Sequence, residues 1–434
     1  MRRWVRAMSE EEKFDAIIVG AGPAGSACAY LLAKAGKNVL VIERGVSPGS
    51  KNVTGGRLYT YALELLEEGL HEQAPLERKV VREQIMMVGD SSAVTVDYVD
   101  YGFKEELPQS YTVLRAPFDE WLAAKAEEQG AMVASGIRVD DLLIEDGKVV
   151  GVLAGEDAMY ADVVIAADGI NSFLAQKAGL RSELTPHEVG VGIKEIIELP
   201  ASVLQDRFNL AEDEGAARVV LGCTGGISGG GFLYTNKDSV SLGIVVSPAA
   251  AAQQSRSVHD VFQEFKMHPA IYSLIGDGTS LEYSAHLVPE SGWNGVPKTL
   301  SREGFLTVGD AAGFCINTGT ILRGIDLAIV SGIAAAKAVL KEQNAKIVGA
   351  AYLQELEQLQ LISTMKLFAG WPEIVSIPRM AKEYPTLVNE MMKFMFTVDG
   401  KVPEKMPKAM RNIVKRHVSL GQLLADGWKG VRSI

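Results

Sequence analysis

The run Gly20-Ala21-Gly22-Pro23-Ala24-Gly25 sets three glycines where a backbone can approach a phosphate with no side chain in the way. An apolar stretch of strand character, Phe14 to Val19, precedes it, and a small-residue helical stretch follows as far as Gly36. In that context Gly20 permits the tight strand-to-helix turn, Gly22 admits a pyrophosphate, and Gly25 lets helix and strand pack closely. The phosphates then lie on the helix N-terminus. A second apolar strand, Asn38 to Ile42, ends at Glu43-Arg44. The Glu43 carboxylate can accept hydrogen bonds from both hydroxyls of an adenosine ribose, so the unit reads as dinucleotide-binding.

Two further segments show a buried strand ending in glycine and acid. Tyr160 to Ala166 runs into Ala167-Asp168-Gly169, and Gly304 to Val308 runs into Gly309-Asp310. Three such segments exceed what NAD needs and suit the longer FAD. Asp310 can bond the ribityl hydroxyls. A helix expected from Asn317 to Leu340, with Thr318 in its first turn, can aim its positive end at the flavin N1/C2=O edge, where an anion forms on reduction.

Other segments leave two readings open. In the loop from Gly45 to Gly56, Thr54-Gly55-Gly56-Arg57 either brings amides close to a flat ligand or makes a surface turn. Arg115 precedes a helix running to Gln129 and pairs either with cofactor phosphates or with a surface acid. Between 186 and 299 the helical rhythm is lost and strand-like runs dominate. Within them Ser228-Gly229-Gly230-Gly231 either admits a ligand or turns a hairpin.

The chain has 434 residues, 47% hydrophobic and 22% charged, as expected of two or three globular units. A formal net charge of −11 argues against nucleic acid as a partner of the whole molecule. The three cysteines, Cys28, Cys223 and Cys315, are too far apart in sequence for a redox pair or an iron–sulfur ligand run. No set of metal ligands stands out. Met1 to Met8 is basic, but charged residues follow it where a signal peptide needs an apolar core. No apolar run approaches the roughly 20 residues of a membrane span. The expected division is a leader at 1–12, a discontinuous nucleotide domain at 13–185 and 300–345, a sheet domain at 186–299, and a helical region at 346–434. In the last, Trp371 to Pro378 and Met391 to Phe396 read either as membrane contacts or as core, and 401–432 carries an excess of Lys and Arg over acids.

Taken together, these motifs resemble the FAD-binding superfamily of aromatic hydroxylases and geranylgeranyl reductases. More narrowly, Lys51-Asn-Val-Thr-Gly-Gly-Arg57, Gly230-Gly-Phe-Leu-Tyr-Thr-Asn236, His268-Pro-Ala-Ile271, Tyr283-Ser-Ala-His286 and Gly309-Asp-Ala-Ala-Gly-Phe-Cys-Ile-Asn317 resemble the electron-transfer-flavoprotein:quinone oxidoreductase family, in its short FixC-like bacterial branch. The resemblance implies an α/β fold. It has a Rossmann-like FAD-binding domain of the glutathione-reductase/hydroxylase type, an inserted mixed-sheet quinone/substrate domain and a C-terminal helical region. It implies that Glu43, Arg115, Val139, Asp168 and Asp310 contact FAD, joined by Gly20, Gly22, Pro23, Ala24, Gly25, Arg44, Gly55, Gly56, Gly169, Gly309, Asn317 and Thr318. Gly229 and Gly230 would meet a quinone headgroup. No side chain is cast as catalytic, His268 and His286 included, because the flavin carries the chemistry. The implied partners are the alpha and beta subunits of an electron-transfer flavoprotein, a membrane quinone, and a ferredoxin-like FixX-type subunit bearing an iron–sulfur cluster, in an assembly of the kind thought to bifurcate electrons. The implied place is cytoplasmic, on the inner face of the cell membrane. An FAD-dependent monooxygenase or prenyl reductase is the alternative.

Overall fold

The computed structural model describes residues 13–51, 56–104, 110–342 and 344–433, so the expected leader and Gly55 lie outside the described residues. Runs of Val, Ile and Leu with neither face polar form the core of a parallel sheet, as they do wherever both faces are covered. Strand β1 (Phe14–Val19) pairs in parallel with β2 (Val39–Glu43) on one side and with Asp157–Ala166 on the other. Phe305–Thr307 and Met132–Ser135 extend the parallel order outwards. Parallel strands end at one edge. The segments after them, at Gly20, Glu43, Asp168 and Gly309, are therefore brought to a common crevice.

Helix α1 (Pro23–Lys34) packs between α2 (Arg115–Glu128) and α3 (Ile325–Lys341). Its seating depends on missing side chains. Gly20 has φ +107°, and a Cβ there would collide with the Ala167 carbonyl oxygen. A Cβ on Gly25 would strike the Gly20 carbonyl oxygen, and one on Gly332 the Ala24 carbonyl oxygen. Strand, turn and two helices thus touch through backbone.

Helix α3 begins at Ile325, eight residues later than the expected Asn317. The intervening residues form a hairpin, Ile316–Asn317 against Leu322–Arg323. Asn317 and Thr318 turn their side chains back on the chain: Gly319 N–H donates to Asn317 Oδ1 (2.8 Å) and Ile321 N–H to Thr318 Oγ1 (3.0 Å). Such local bonds favour a turn over a helix.

Among the described residues the second sheet has nine strands. Strands β3 (Val189–Glu198), β4 (Gly229–Thr235), β5 (Ser239–Val246) and β6 (Thr279–Pro289) lie in the antiparallel order β6-β3-β5-β4. This sheet is not confined to 186–299. Beyond β4 it continues through Glu214–Leu221, Leu76–Val88 and Tyr111–Val113 to Gly56–Leu58. The boundary expected at 185/186 is corrected accordingly: the segment 56–113 contributes strands to the second sheet. Its alternating pattern identifies strands, but the parallel pairing of Leu76–Val88 with Glu214–Leu221 joins residues over a hundred positions apart, which no local pattern encodes.

The C-terminal region is helical from Ala345 and includes α4 (Glu383–Phe396) and α5 (Leu420–Ser433). No described helix is long and apolar enough to cross a membrane.

Substituting Gly332→Val pushes α3 off α1 and is expected to destabilise the protein by about 1–3 kcal/mol. Since Ala24 and Ala328 both line the cavity described next, flavin content should fall with it. Denaturant unfolding and the flavin-to-protein absorbance ratio check both.

Candidate functional site

A cavity of ≈ 690 Å³ is walled by both sheets. From the first sheet and its loops come Gly20, Gly22, Pro23, Ala24, Glu43, Arg44, Val139, Asp168, Gly169, Gly309 and Asp310. Gly56, Arg115 at the start of α2, and Gly324, Ile325 and Ala328 at the start of α3 also line it. The remaining sequence-predicted residues among those described lie elsewhere. Gly25 stands behind the wall as the packing contact already described. Asn317 and Thr318 lie in the hairpin before α3, and Gly229 and Gly230 pair with Val246 and Val245 in the β4–β5 ladder. Gly229, at φ +147°, lets β4 approach the Val245 carbonyl oxygen, so its missing side chain serves strand contact.

Local chemistry suits a long anionic ligand rich in hydroxyls. A Cβ at Gly22 would meet nothing within 4 Å, so the backbone there is open to the cavity. The first turns of α1 and α3 carry no side-chain cap, which leaves their N–H groups for an incoming acceptor. Glu43 is oriented at the end of β2 by the N–H groups of Ala21 (3.0 Å) and Gly45 (2.5 Å), with lone pairs left for further donors.

Buried charge sets the electrostatics. Arg115 is held in a fork by Asp119, with Nε–Oδ1 at 2.9 Å and Nη2–Oδ2 at 2.8 Å, and so presents a fixed guanidinium to the cavity. Burial pushes the Asp310 carboxyl up, opposed by Arg115 and Arg181, and no described donor reaches its oxygens. Burial also lifts Asp168 to about 6, against hydrogen bonds from Leu174 N–H (3.3 Å) and Ser172 Oγ (3.1 Å). Two carboxyls desolvated in this way gain from ligand hydroxyls that donate to them. Phosphate-facing amides, a ribose-length acid and buried acceptors for a polyol together fit FAD.

The second wall comes from residues that the motifs did not single out as ligands: Arg57, Gly192, Lys194, Phe232, Tyr234, Val245, His286 and Val288. Phe232 and Tyr234 stack at 5.2 Å with 24° between their planes. Burial, then the Arg115 charge, pushes the Lys194 ammonium down to about 7, with Glu282 opposing. His286 is lowered by burial and then by Arg115, Lys194 and Arg44. One signal was available in the sequence, a lone lysine inside the apolar strand Val189 to Leu199. His268, by contrast, is structural: its Nε2 lies 2.8 Å from the Gly89 carbonyl oxygen and its Nδ1 accepts from Ala270 N–H at 3.2 Å.

Comparison with known proteins agrees with this architecture. The family described as "FAD binding domain" matches residues 13–314, and the "ETF-QO/FixC family C-terminal domain" matches residues 371–434. The chain is 46% identical over 431 residues to the "Probable electron transfer flavoprotein-quinone oxidoreductase YdiS" of Escherichia coli (strain K12), covering 98% of this chain and 100% of that one. It is 47% identical over 426 residues to "Protein FixC" of the same strain, covering 97% and 99%. A geranylgeranyl bacteriochlorophyll reductase-like protein from Thermoplasma acidophilum shares the fold, with a TM-score of 0.70 at 21% identity over 94% of this chain and 96% of that one. Fold and site define an FAD-dependent oxidoreductase. The chain belongs to the ETF-QO/FixC family.

Because a side chain at position 22 meets only the cavity, Gly22→Val should fold normally and yet emerge without flavin. Matching circular dichroism and melting curves for the variant and deflavinated parent, with no flavin absorbance after reconstitution, are expected.

Proposed function

We propose that the protein carries electrons from an electron-transfer flavoprotein to a membrane quinone. The near-full-length likeness to YdiS, whose name gives that activity as probable, carries the reading. Bound FAD supplies the redox chemistry, taking electrons singly or in pairs and passing them on. The protein supplies position and polarity. In this reading the Gly20–Gly25 turn and the α1 N-terminus hold the pyrophosphate, and Glu43 holds the adenosine ribose. Arg44, Arg115, Val139 and Asp168 line the path of the cofactor, while Asp310 receives the ribityl hydroxyls. The N-terminus of α3, at Gly324 and Ile325, takes the role expected of Asn317 and places partial positive charge where the reduced ring becomes anionic.

The acceptor pocket is assigned to the Phe232–Tyr234 wall, whose aromatic and aliphatic surface suits a quinone ring. The partners in this reading are the alpha and beta subunits of the electron-transfer flavoprotein and a ferredoxin-like FixX-type subunit. That subunit bears the iron–sulfur cluster, since this chain's three cysteines are each buried and unbonded. The assembly is of the electron-bifurcating Fix type.

A quinone is reached at a lipid surface, and α5 supports contact with one. Leu420, Leu424, Trp428 and Val431 follow helical spacing and are 70%, 65%, 66% and 73% exposed. On the helix's other face Asp426 is gripped by Arg379, with both contacts at 2.5 Å, and by the Tyr384 hydroxyl. The polar face is thus anchored and the apolar face left outward, the reverse of an ordinary surface helix. Arg432 borders the stripe, as suits anionic headgroups on the inner face of the cell membrane. This stripe joins the two candidates of the sequence, Trp371 to Pro378 and Met391 to Phe396, and is more fully exposed than the first, five of whose eight residues are partly or fully buried.

The test is anaerobic reduction by electron-transfer flavoprotein followed by addition of a soluble quinone analogue. Reoxidation of the flavin at a catalytic rate is expected, and persistence of the reduced spectrum would reject the reading. Separately, Leu424→Glu with Trp428→Glu should abolish sedimentation with anionic vesicles while flavin content stays at the parent level; undiminished co-sedimentation would remove α5 from the interface.

A further inference from the structure

The second wall of the cavity contains an arrangement that the cofactor does not explain. Lys194 stands on β3 between Gly243 of β5 and Ser284 of β6, its partners in register. Its stem and the Phe232 ring both lie over Gly243. A Cβ at Gly243 would come within 2.8 Å of Lys194 Cγ and would collide with the Phe232 ring. With no side chain at 243, Lys194 Nζ sits 5.2 Å from the Phe232 ring centroid, within cation–π range. Phe232 in turn stacks on Tyr234. A lysine is therefore held against an aromatic floor that faces the cavity. Across the strand pair, the Ser284 hydroxyl is buried with no hydrogen-bond partner in the structure, a second polar group at the same register.

We propose that Lys194 meets the carbonyl oxygen of the electron acceptor and gives it a proton as the electron pair arrives. This inference rests on the quinone reading above and deepens it by naming the proton donor. In the step, the Lys194 Nζ–H bond breaks and an O–H bond forms on one quinone oxygen. The other oxygen takes its proton from solvent. The electron pair comes from the reduced cofactor, so the quinone consumes two electrons and two protons and leaves as hydroquinone. Solvent then reprotonates Lys194.

Charged and titratable neighbours decide which group plays the acid. Arg115 faces Lys194 from α2, and Glu282 and His286 face it from β6; β5 offers Gly243 in register, and on β4 Tyr234 stacks on the Phe232 ring that lies against the lysine. Burial, with Arg115 adding to it, brings the ammonium to about 7, close to the operating pH at which a general acid is most effective. His286 is pushed below its ordinary value by burial and its cationic neighbours, so it is mostly neutral at pH 7 and a poorer donor. Tyr234 is raised to about 12 by burial and holds its proton.

The experiment compares holoprotein of the parent, Lys194→Met and Lys194→Arg. A soluble short-chain quinone probes turnover, and a non-reducible alkyl-hydroxyquinoline probes binding through its perturbation of the flavin spectrum. Lys194→Met is expected to keep its FAD and to lose on the order of 10²-fold or more in quinone kcat. The parent's kcat should fall as pH rises through about 7, and that limb should vanish in the methionine variant. Hydroxyquinoline binding should weaken about tenfold, the scale of one charge-assisted hydrogen bond. Lys194→Arg should recover binding without recovering rate, because a guanidinium does not release its proton. Parental quinone kcat and pH profile in Lys194→Met would overturn the proposal. So would loss of FAD from that variant, which would assign Lys194 to the cofactor instead. Failure of the parent itself to be reoxidised by quinone would reject the acceptor reading, and the Lys194 assignment with it.

Discussion

Contact of backbone with backbone around α1 is the constraint on which the rest of this structure depends. Gly20 against Ala167, Gly25 against Gly20, and Gly332 against Ala24 are places where even a methyl group would collide with a carbonyl oxygen. These three contacts fix the helix against its strand, its neighbouring loop and α3 at once. Fixing α3 in turn sets Gly309, whose N–H donates to Ser331 Oγ at 2.9 Å. The strand ends that carry Glu43, Asp168 and Asp310 therefore share one crevice with two helix N-termini. The chemistry of the cavity follows from packing that involves no functional side chain at all.

Electrostatics then divides the cavity by wall. On the first sheet, buried carboxyls are pushed towards their neutral forms and gain from hydroxyl donors. On the second, burial and a forked arginine push a lysine and a histidine towards theirs. Arg115 belongs to both accounts: it opposes the burial-driven rise of Asp310 and adds to the burial-driven fall of Lys194. Because Asp119 fixes its geometry from the same helix, one ion pair at the start of α2 acts on Asp310 in the first wall and on Lys194 and His286 in the second.

The sequence made the first wall legible because its function is carried by residues that cannot be replaced locally. A glycine fingerprint between strand and helix, an acid at a strand end and a Gly-Asp pair each state their geometry in a few adjacent positions. The second wall was not legible in that way. Lys194, Phe232 and His286 meet only through the register of β3, β4, β5 and β6, and the strands from 56 to 113 join the same sheet through the parallel pairing of Leu76–Val88. Gly229 and Gly230 attracted attention for being glycines, and at Gly229 the missing side chain serves the contact between β4 and β5. Gly243, isolated in an apolar strand and without a motif around it, is the glycine that shapes the wall. The start of α3 was missed for a related reason: Asn317 and Thr318 prefer bonds to their own backbone, and that preference overrides a long run of helix-compatible residues after them.

The C-terminal helices complete the physical argument. A cavity with one anionic-ligand wall and one aromatic wall has no need of an exposed apolar helix, and α5 contributes nothing to its lining. Yet Asp426 ties α5 to Arg379 and Tyr384 firmly enough to hold Leu420, Leu424, Trp428 and Val431 towards solvent. Exposed leucine and tryptophan at helical spacing carry a hydration cost that folding alone would remove by rotating the helix. The ion pair prevents that rotation. An apolar stripe held outward against this cost suits the lipid contact proposed for α5.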